Sequence, residues 1–232
     1  MTGTRTMSQL SFDLPAIAAL GREDFFASPA NAVALGMIDL WPDWPDRRLL
    51  IVGPRGAGKT HLAHVWASRS AARIVAAETL DEHDIAELVS GHLVVENVDA
   101  IAGTAAAEQA LFHLHNLLLA EGRSLLLTAR RPPMFWPLTL PDLASRMQAC
   151  HLAEIAAPDD LLLAFVLGKL FSDRQIVPDA AVIPYLLRRI DRSFAAANAA
   201  VDAIDALALS EGRDVSRAVA ARVLDDLESL AD

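Results

Sequence analysis

The chain has one cysteine in 232 residues. An internal disulfide framework is therefore excluded, which fits a reducing compartment. Cys150 has no Cys or His companions at metal-ligating spacing, so it reads as a buried structural residue. His113 and His115 lie two apart on a helical stretch and do not share a face. Basic residues are also scarce: 20 Lys and Arg against 30 Asp and Glu give a net charge of −10. That balance argues against a general affinity for phosphate backbones and against direct sequence-specific DNA binding, while leaving room for a local basic patch. No apolar run reaches the roughly 18 residues of a membrane span. The N-terminus lacks the charged start and apolar stretch of a signal peptide. The expectation is a soluble, cytoplasmic protein without a membrane partner. Aromatics make up only 6% while alanine is abundant, a composition suited to packed helices.

What is present is a regular alternation. Short apolar runs at 48–52, 73–77, 92–96, 124–129 and 151–155 read as strands, with helices predicted over 61–70, 81–90, 104–121 and 140–148. Leu111, Leu114 and Leu118 share one face of the third of these, and Gly122 supplies its C-terminal cap. Ahead of the first strand lie a helix within 24–40, which Ser28 or Asn31 can cap, and a turn-rich connector, Trp41-Pro42-Asp43-Trp44-Pro45. Alternating strands and helices predict an α/β unit, a parallel sheet covered on both faces. After Pro158 the strands stop. Helices predicted over 159–172, 179–190, 194–209 and 214–229 form a second, smaller all-helical unit. The division expected is 1–15, 16–157 and 158–232.

Gly53-Pro54-Arg55-Gly56-Ala57-Gly58-Lys59-Thr60 is a complete Walker A loop between a strand and a helix. Its glycines let backbone N–H groups turn inward onto phosphate oxygens, and the helix that follows adds its positive end. Lys59 reaches the terminal phosphates and Thr60 can hold Mg²⁺; His61 follows in the first helical turn. Leu93-Val94-Val95-Glu96-Asn97 has the pattern of a Walker B strand, with Glu96 acting on the magnesium ion. Asn97 stands where a carboxylate often orients the attacking water; an amide can bind that water but cannot take its proton. Asp99 lies two residues on. Thr128 ends the fourth strand in position to sense a terminal phosphate. Arg146 follows on a short helix, and Arg192 opens a helix of the second unit, either to reach nucleotide or to pair with a neighbouring acid.

Together these residues resemble the AAA+ family, within it the DnaA branch, and within that branch the Hda-type regulators of the initiator. The likeness covers about residues 9–230 and rests on Gly58-Lys59-Thr60-His61-Leu62, Arg131-Pro132-Pro133 and above all Leu140-Pro141-Asp142-Leu143-Ala144-Ser145-Arg146. It implies an AAA+ domain with a five-stranded parallel sheet and a helical lid. It also implies ADP or ATP with Mg²⁺ as cofactors, Arg146 as an arginine finger acting in trans, and Arg192 as the sensor of the lid. The sequence ends after the small bundle, so no helix-turn-helix domain of the initiator type is expected. Gln9-Leu10-Ser11-Phe12-Asp13-Leu14 resembles a motif for the DNA polymerase sliding clamp; Gln9 would satisfy a pocket rim while Leu10, Phe12 and Leu14 insert. The partners implied are the DnaA initiator and the clamp, with a homodimer allowed. The sequence departs from the pattern at Glu96, where aspartate is usual, at Asn97, and at Arg130, where many relatives are acidic. Those departures imply weak intrinsic turnover. Two other functions compete: an independent DNA-associated ATPase of the helicase-loader kind, and a small-molecule P-loop kinase. The acidic balance and Asn97 weigh against the first, and the Arg146 segment has no role in the second.

Overall fold

The structure is a computed structural model and describes residues 26–231. The clamp-like segment 9–14 lies outside the described residues. Five strands, β1 (Arg48–Val52), β2 (Arg73–Ala76), β3 (Leu93–Glu96), β4 (Leu125–Ala129) and β5 (Leu152–Glu154), form one sheet in the order β2-β3-β4-β1-β5. Every pairing is parallel. β1 and β4 are buried along their whole length, which explains why they read as unbroken apolar runs. Successive side chains serve opposite faces. Leu50, Val52, Leu93, Val95, Leu125 and Leu127 join one core with helices α4 (Ala105–Ala120) and α5 (Pro141–Gln148). Leu49, Ile51, Val94 and Leu126 join another with α1 (Ala32–Leu40) and α2 (Lys59–Ser70). The connector at 41–45 does more than turn: Trp44 is buried and stacks on Trp66 of α2 with ring centroids 4.9 Å apart.

A third core belongs to the helices beyond Pro158. α6 (Asp160–Asp173), α7 (Val182–Leu186), α8 (Phe194–Glu211) and α9 (Arg217–Ala231) bury Leu163, Leu167, Phe171, Val201, Ile204 and Val223 among themselves. No helix among the described residues is long and apolar enough to cross a membrane.

Two predicted helices are shorter than the sequence pattern indicates. Over 81–90 the chain makes a 3₁₀ turn, Ala77–Glu82, and then a single helical turn, α3 (Ile85–Leu88). His83 is extended, and the Asp84 side chain accepts from the Ala86 N–H at 2.9 Å. A local acceptor of this kind starts a new helix and interrupts the old one. Over 179–190 only α7 is helical. The N–H of Asp179 is tied across the bundle to Val215 O, and beyond α7 the N–H groups of Arg188 and Arg189 reach back three residues instead of four.

Two buried polar groups lie on the sheet-facing stripe of α4. Glu108 is fully buried and accepts from four donors: Gly103 N at 2.7 Å, Thr139 N at 2.9 Å, Thr139 Oγ1 at 2.8 Å and Leu140 N at 2.8 Å. Burial alone pushes its carboxyl pKa up, but these hydrogen bonds outweigh burial and hold it below the usual value. Leu140 is the residue on which α5 starts, so this carboxylate fixes the start of α5 against α4. Replacing Glu108 with Gln, which turns one acceptor into a donor facing these N–H groups, is expected to cost about 2–3 kcal/mol in urea unfolding at neutral pH. An unchanged midpoint would mean that the 139–140 segment finds other acceptors.

His115, also fully buried, faces the first residue of β1: Arg48 Nη1 lies 2.8 Å from its Nε2. Arg48 also pairs with Asp46, and the other ring nitrogen of His115 faces Asn116 Oδ1 at 3.4 Å. Burial and the guanidinium of Arg48 lower the imidazole pKa from 6.5 to about 4, with a smaller push from Arg146. His115 is therefore neutral near pH 7 and accepts from Arg48. In the unfolded chain it binds a proton near its ordinary pKa. Its contribution to stability is thus complete above that pKa and declines as the pH falls toward about 4. The expected loss between neutrality and about pH 5 is about 2 kcal/mol. His115→Gln keeps an acceptor without a titration, so urea titrations of this variant at the two pH values should show a shallower pH slope.

Candidate functional site

The end of β1 opens into the glycine loop. Gly53 N donates to Ala129 O at 3.1 Å, joining the loop's first residue to the end of β4. Gly56 and Gly58 have φ of +76° and +98°, in the left-handed region, where a side chain is strained. Space enforces the same choice: a Cβ on Gly56 would lie 2.5 Å from Ser193 Cβ, and one on Gly58 would lie 2.7 Å from the Phe194 ring. α2 starts on Gly58, which has no side chain to cap it, so its first-turn N–H groups are available to an anion. Lys59 is only 8% exposed, and its Nζ donates to Gly53 O at 2.7 Å and Pro54 O at 2.8 Å. Burial lowers the Lys59 pKa; nearby Asp99 and Glu96 oppose that shift, and Arg130 adds to it.

A cavity of about 670 Å³ lies over this loop. One end is polar, walled by Arg55, Gly56, Lys59, Thr60, Asn97 and Arg130. Phe26, Leu162, Phe165, Val166 and Leu170 form an apolar part of the wall, with Lys169 and Asp173 of α6 also lining it. Phe26 and Phe165 stack with centroids 4.4 Å apart, so the segment before α1 closes that part of the wall against α6. Asn31 anchors the segment, its Nδ2 donating to Phe26 O at 3.0 Å and its Oδ1 accepting from Ser28 N at 2.9 Å. From the helical bundle come Phe194 and Asn198, one turn apart on α8, with Phe194 N donating to Gly56 O at 2.9 Å. A cavity that joins a cationic loop to an aromatic, largely apolar wall has the chemistry to hold a molecule carrying both phosphates and a flat ring.

The structure brings Arg55, Gly56, Gly58, Lys59, Thr60, His61 and Asn97 together on the cavity wall. Glu96 stands at the end of β3, one residue before Asn97, and Asn97 takes a left-handed conformation with φ 58°. Of the loop, Gly53, Pro54 and Ala57 do not line this cavity, and Thr128 and Arg192 are elsewhere. Thr128 is 1% exposed, and its hydroxyl accepts from Asn97 N at 3.1 Å, so it holds Asn97 without lining the cavity. Arg192 is solvent-exposed and pairs with Asp160 at 2.9 Å, the neighbouring-acid alternative. Arg146 lies on α5 outside the cavity, its guanidinium carbon 5.1 Å from the Phe112 ring centroid. Among the described residues no carboxylate lies within ion-pair distance of it. Cys150 is buried, and burial pushes its thiol up to about 11.

Solved structures share this arrangement over most of the chain. Domain III of the Thermotoga maritima replication initiation protein DnaA superposes with a TM-score of 0.78 at 19% identity, over 91% of this chain and 97% of that one. The fold is the AAA+ fold of DnaA. DnaA from Aquifex aeolicus, with AMPPCP bound, matches at a TM-score of 0.67 and 19% identity over 79% of this chain and 64% of its own. A Thermotoga maritima RuvB variant matches at 0.67 and 16% identity, over 85% and 68% respectively. No protein-family model matches the sequence.

The apolar wall of the cavity was not read from the sequence. Phe26, Phe165 and Phe194 are far apart in the chain and resemble ordinary core residues. Arg130 stood out as a departure from a pattern, and its position on the cavity wall gives that departure a site. Among the described residues no cluster of three His, Cys, Asp or Glu could hold a metal unaided. A hydroxyl at Thr60 and a carboxylate at Glu96 fit Mg²⁺, which takes most of its ligands from phosphate and water.

Proposed function

We propose that the chain is an Hda-type regulator of replication initiation. It binds ADP or ATP over the glycine loop, docks on the sliding clamp through Gln9 to Leu14, and lends Arg146 to ATP held by the DnaA initiator. The phosphates lie against the loop N–H groups and Lys59, and the adenine ring lies at the aromatic wall near Phe26 and Phe165. Thr60 and Glu96 would hold the magnesium ion, which neutralises phosphate charge when bound. Asn97 can hydrogen-bond a water but has no basic oxygen for its proton, so turnover of the chain's own nucleotide is slow.

The observation that carries this reading is the separation of Arg146 from the cavity. It stands outside the cavity wall and has no acidic partner among the described residues. A half-exposed cation without an acidic partner is suited to a phosphate on another molecule, where it stabilises charge developing on the transferred phosphoryl group. The anion-ready start of α2 supports the nucleotide half of the reading.

The test measures hydrolysis of ATP preloaded on DnaA, with this protein and DNA-loaded clamp each omitted in turn. Acceleration that needs both components supports the reading. Acceleration without the clamp removes the role of residues 9–14, and none under any condition removes the regulatory role. ATP turnover by this protein alone that DNA stimulates would favour the helicase-loader alternative.

A further inference from the structure

The turn that follows β4 presents cations and apolar groups on a pinned backbone. Arg130 N donates to Asp99 Oδ2 at 3.1 Å, and the Nε1 of Trp136 donates to Arg131 O at 2.7 Å. Trp136 itself is buried in the core that α4 shares with the sheet. The N–H groups of Phe135 and Trp136 close a 3₁₀ turn onto Pro132 O and Pro133 O at 3.0 and 3.1 Å. Held in this way, the turn leaves Met134 71% and Phe135 57% exposed between the buried Pro133 and Trp136. Arg131, at the head of the turn, lines a second cavity of about 500 Å³ together with Pro54, Arg55, Asp99, Ala100 and Arg130. Among the described residues no carboxylate lies within ion-pair distance of any of the three guanidinium groups. Arg55 and Arg130 also line the main cavity, but Arg131, Met134 and Phe135 line no part of it.

Arg, Met and Phe are side chains that protein interfaces favour over the rest of the surface, and a fixed turn presents them without the entropy of ordering a loop. We infer that this face is a docking surface for a protein segment carrying two or three carboxylates next to an apolar side chain. The carboxylates enter the second cavity and pair with Arg131 and its neighbours, while the apolar side chain covers Met134 and Phe135. A guanidinium suits a carboxylate because its parallel N–H groups match the two oxygens. Charge favours a short protein segment over other anionic occupants. The chain carries a net −10, so it repels a second copy of itself, and a polynucleotide long enough to pass beyond the patch meets the acidic remainder. A short segment meets only the local cations, because at about 0.1 M salt the field of the remaining surface is screened within about 10 Å. Met134, the more exposed of the two apolar side chains, also has no ring on which a base could stack. Neither nucleotide nor Arg146 is needed for this docking: the turn lies off the main cavity, and Arg146 lines neither cavity.

The experiment selects a random dodecapeptide phage library on the immobilised full chain. Enriched peptides are then labelled and measured by fluorescence anisotropy against wild type, Arg131→Ala, Arg131→Glu and the double variant Met134→Ser with Phe135→Ser. All four side-chain changes are at exposed positions, and thermal melts serve as the folding control. The expected result is enrichment of peptides with two or three Asp or Glu beside a Leu, Phe or Met. Arg131→Ala and the double variant should each weaken them by about 10-fold, and Arg131→Glu by about 30-fold or more. No enrichment, enrichment of peptides without acids, or acidic peptides that bind every variant alike would overturn the inference. The measurement is repeated with excess ADP and Mg²⁺, and with a labelled single-stranded dodecanucleotide in place of the peptide. Complete displacement of the peptide by ADP would assign the arginines to the nucleotide and overturn it. Tighter binding of the oligonucleotide than of the peptide, lost in Arg131→Glu, would make the face a nucleic-acid surface instead. Self-association of wild type in sedimentation velocity that Arg131→Glu abolishes would make a second copy the occupant, and the inference would fail in that case as well.

Discussion

Lys59→Ala is expected to lose at least about 100-fold in affinity for ADP and for ATP alike. The side chain is nearly buried, and its ammonium is held by the carbonyls of Gly53 and Pro54 at the mouth of the cavity. A cation in that position meets phosphate oxygens with little water between them, where charge counts for more than at a surface. It reaches the terminal phosphates, one of which ADP and ATP share, so both affinities should fall. The substitution also leaves two carbonyls without their donor, so some loss of stability without nucleotide is expected. Calorimetry with ADP and ATP measures the effect, and a melt without ligand separates the two consequences. Equal affinity in wild type and variant would exclude a phosphate-binding role for the loop.

The layering of the sheet was legible because burial on both faces leaves little choice of residue. Leu93-Val94-Val95 and Leu125-Leu126-Leu127 must be apolar throughout, since alternate residues join opposite cores. The α4 stripe was legible in its leucines but disguised at two positions. Glu108 and His115 sit at the same helical spacing as Leu111 and Leu118, so periodicity alone implies their burial. Their polarity argues the other way until Thr139, Leu140 and Arg48 are brought in from distant segments. The helix over 81–90 failed for a local reason: Asp84 satisfies Ala86 N and restarts the helix there. Acidic residues early in a helical stretch favour a helix N-terminus, but their positions alone do not say how many helices begin there.

The candidate site divides along the same line. The loop is a contiguous motif, and its glycines, lysine and threonine carry their geometry in their order. The cavity above it is assembled from contacts no local pattern encodes. Phe26 meets Phe165 across more than half the chain, and Ser193 with Phe194 packs into the space that Gly56 and Gly58 leave open. Those glycines are therefore needed twice, for their backbone angles and for the approach of the helical bundle. The strand-end position of Thr128 was read correctly, but the direction of its hydroxyl depends on Asn97, whose left-handed backbone turns its N–H toward β4.

Arg146→Ala is expected to abolish stimulation of DnaA-bound ATP hydrolysis, a fall of roughly 10³-fold or more where a finger completes a hydrolytic site. The argument begins with what holds the residue in position. Glu108 fixes the start of α5, and Leu143 and Met147 are buried beneath the helix, leaving Arg146 half-exposed between them. Its contact with Phe112 is a cation–π pair near the surface, worth about 0.5–1 kcal/mol. Losing that is too little to unfold the domain, so the variant should fold. It should also bind nucleotide as wild type does, because Arg146 lines neither cavity. Arg146→Lys keeps the charge but not the planar fork, and should recover little of the stimulation if two phosphate oxygens are held at once. Single-turnover assays with labelled ATP preloaded on DnaA measure the effect, with calorimetry of the variant's own nucleotide binding alongside. Full stimulation by Arg146→Ala would exclude the residue as a finger. Loss of nucleotide binding with stimulation intact would move Arg146 into its own chain's site, against the geometry of α5.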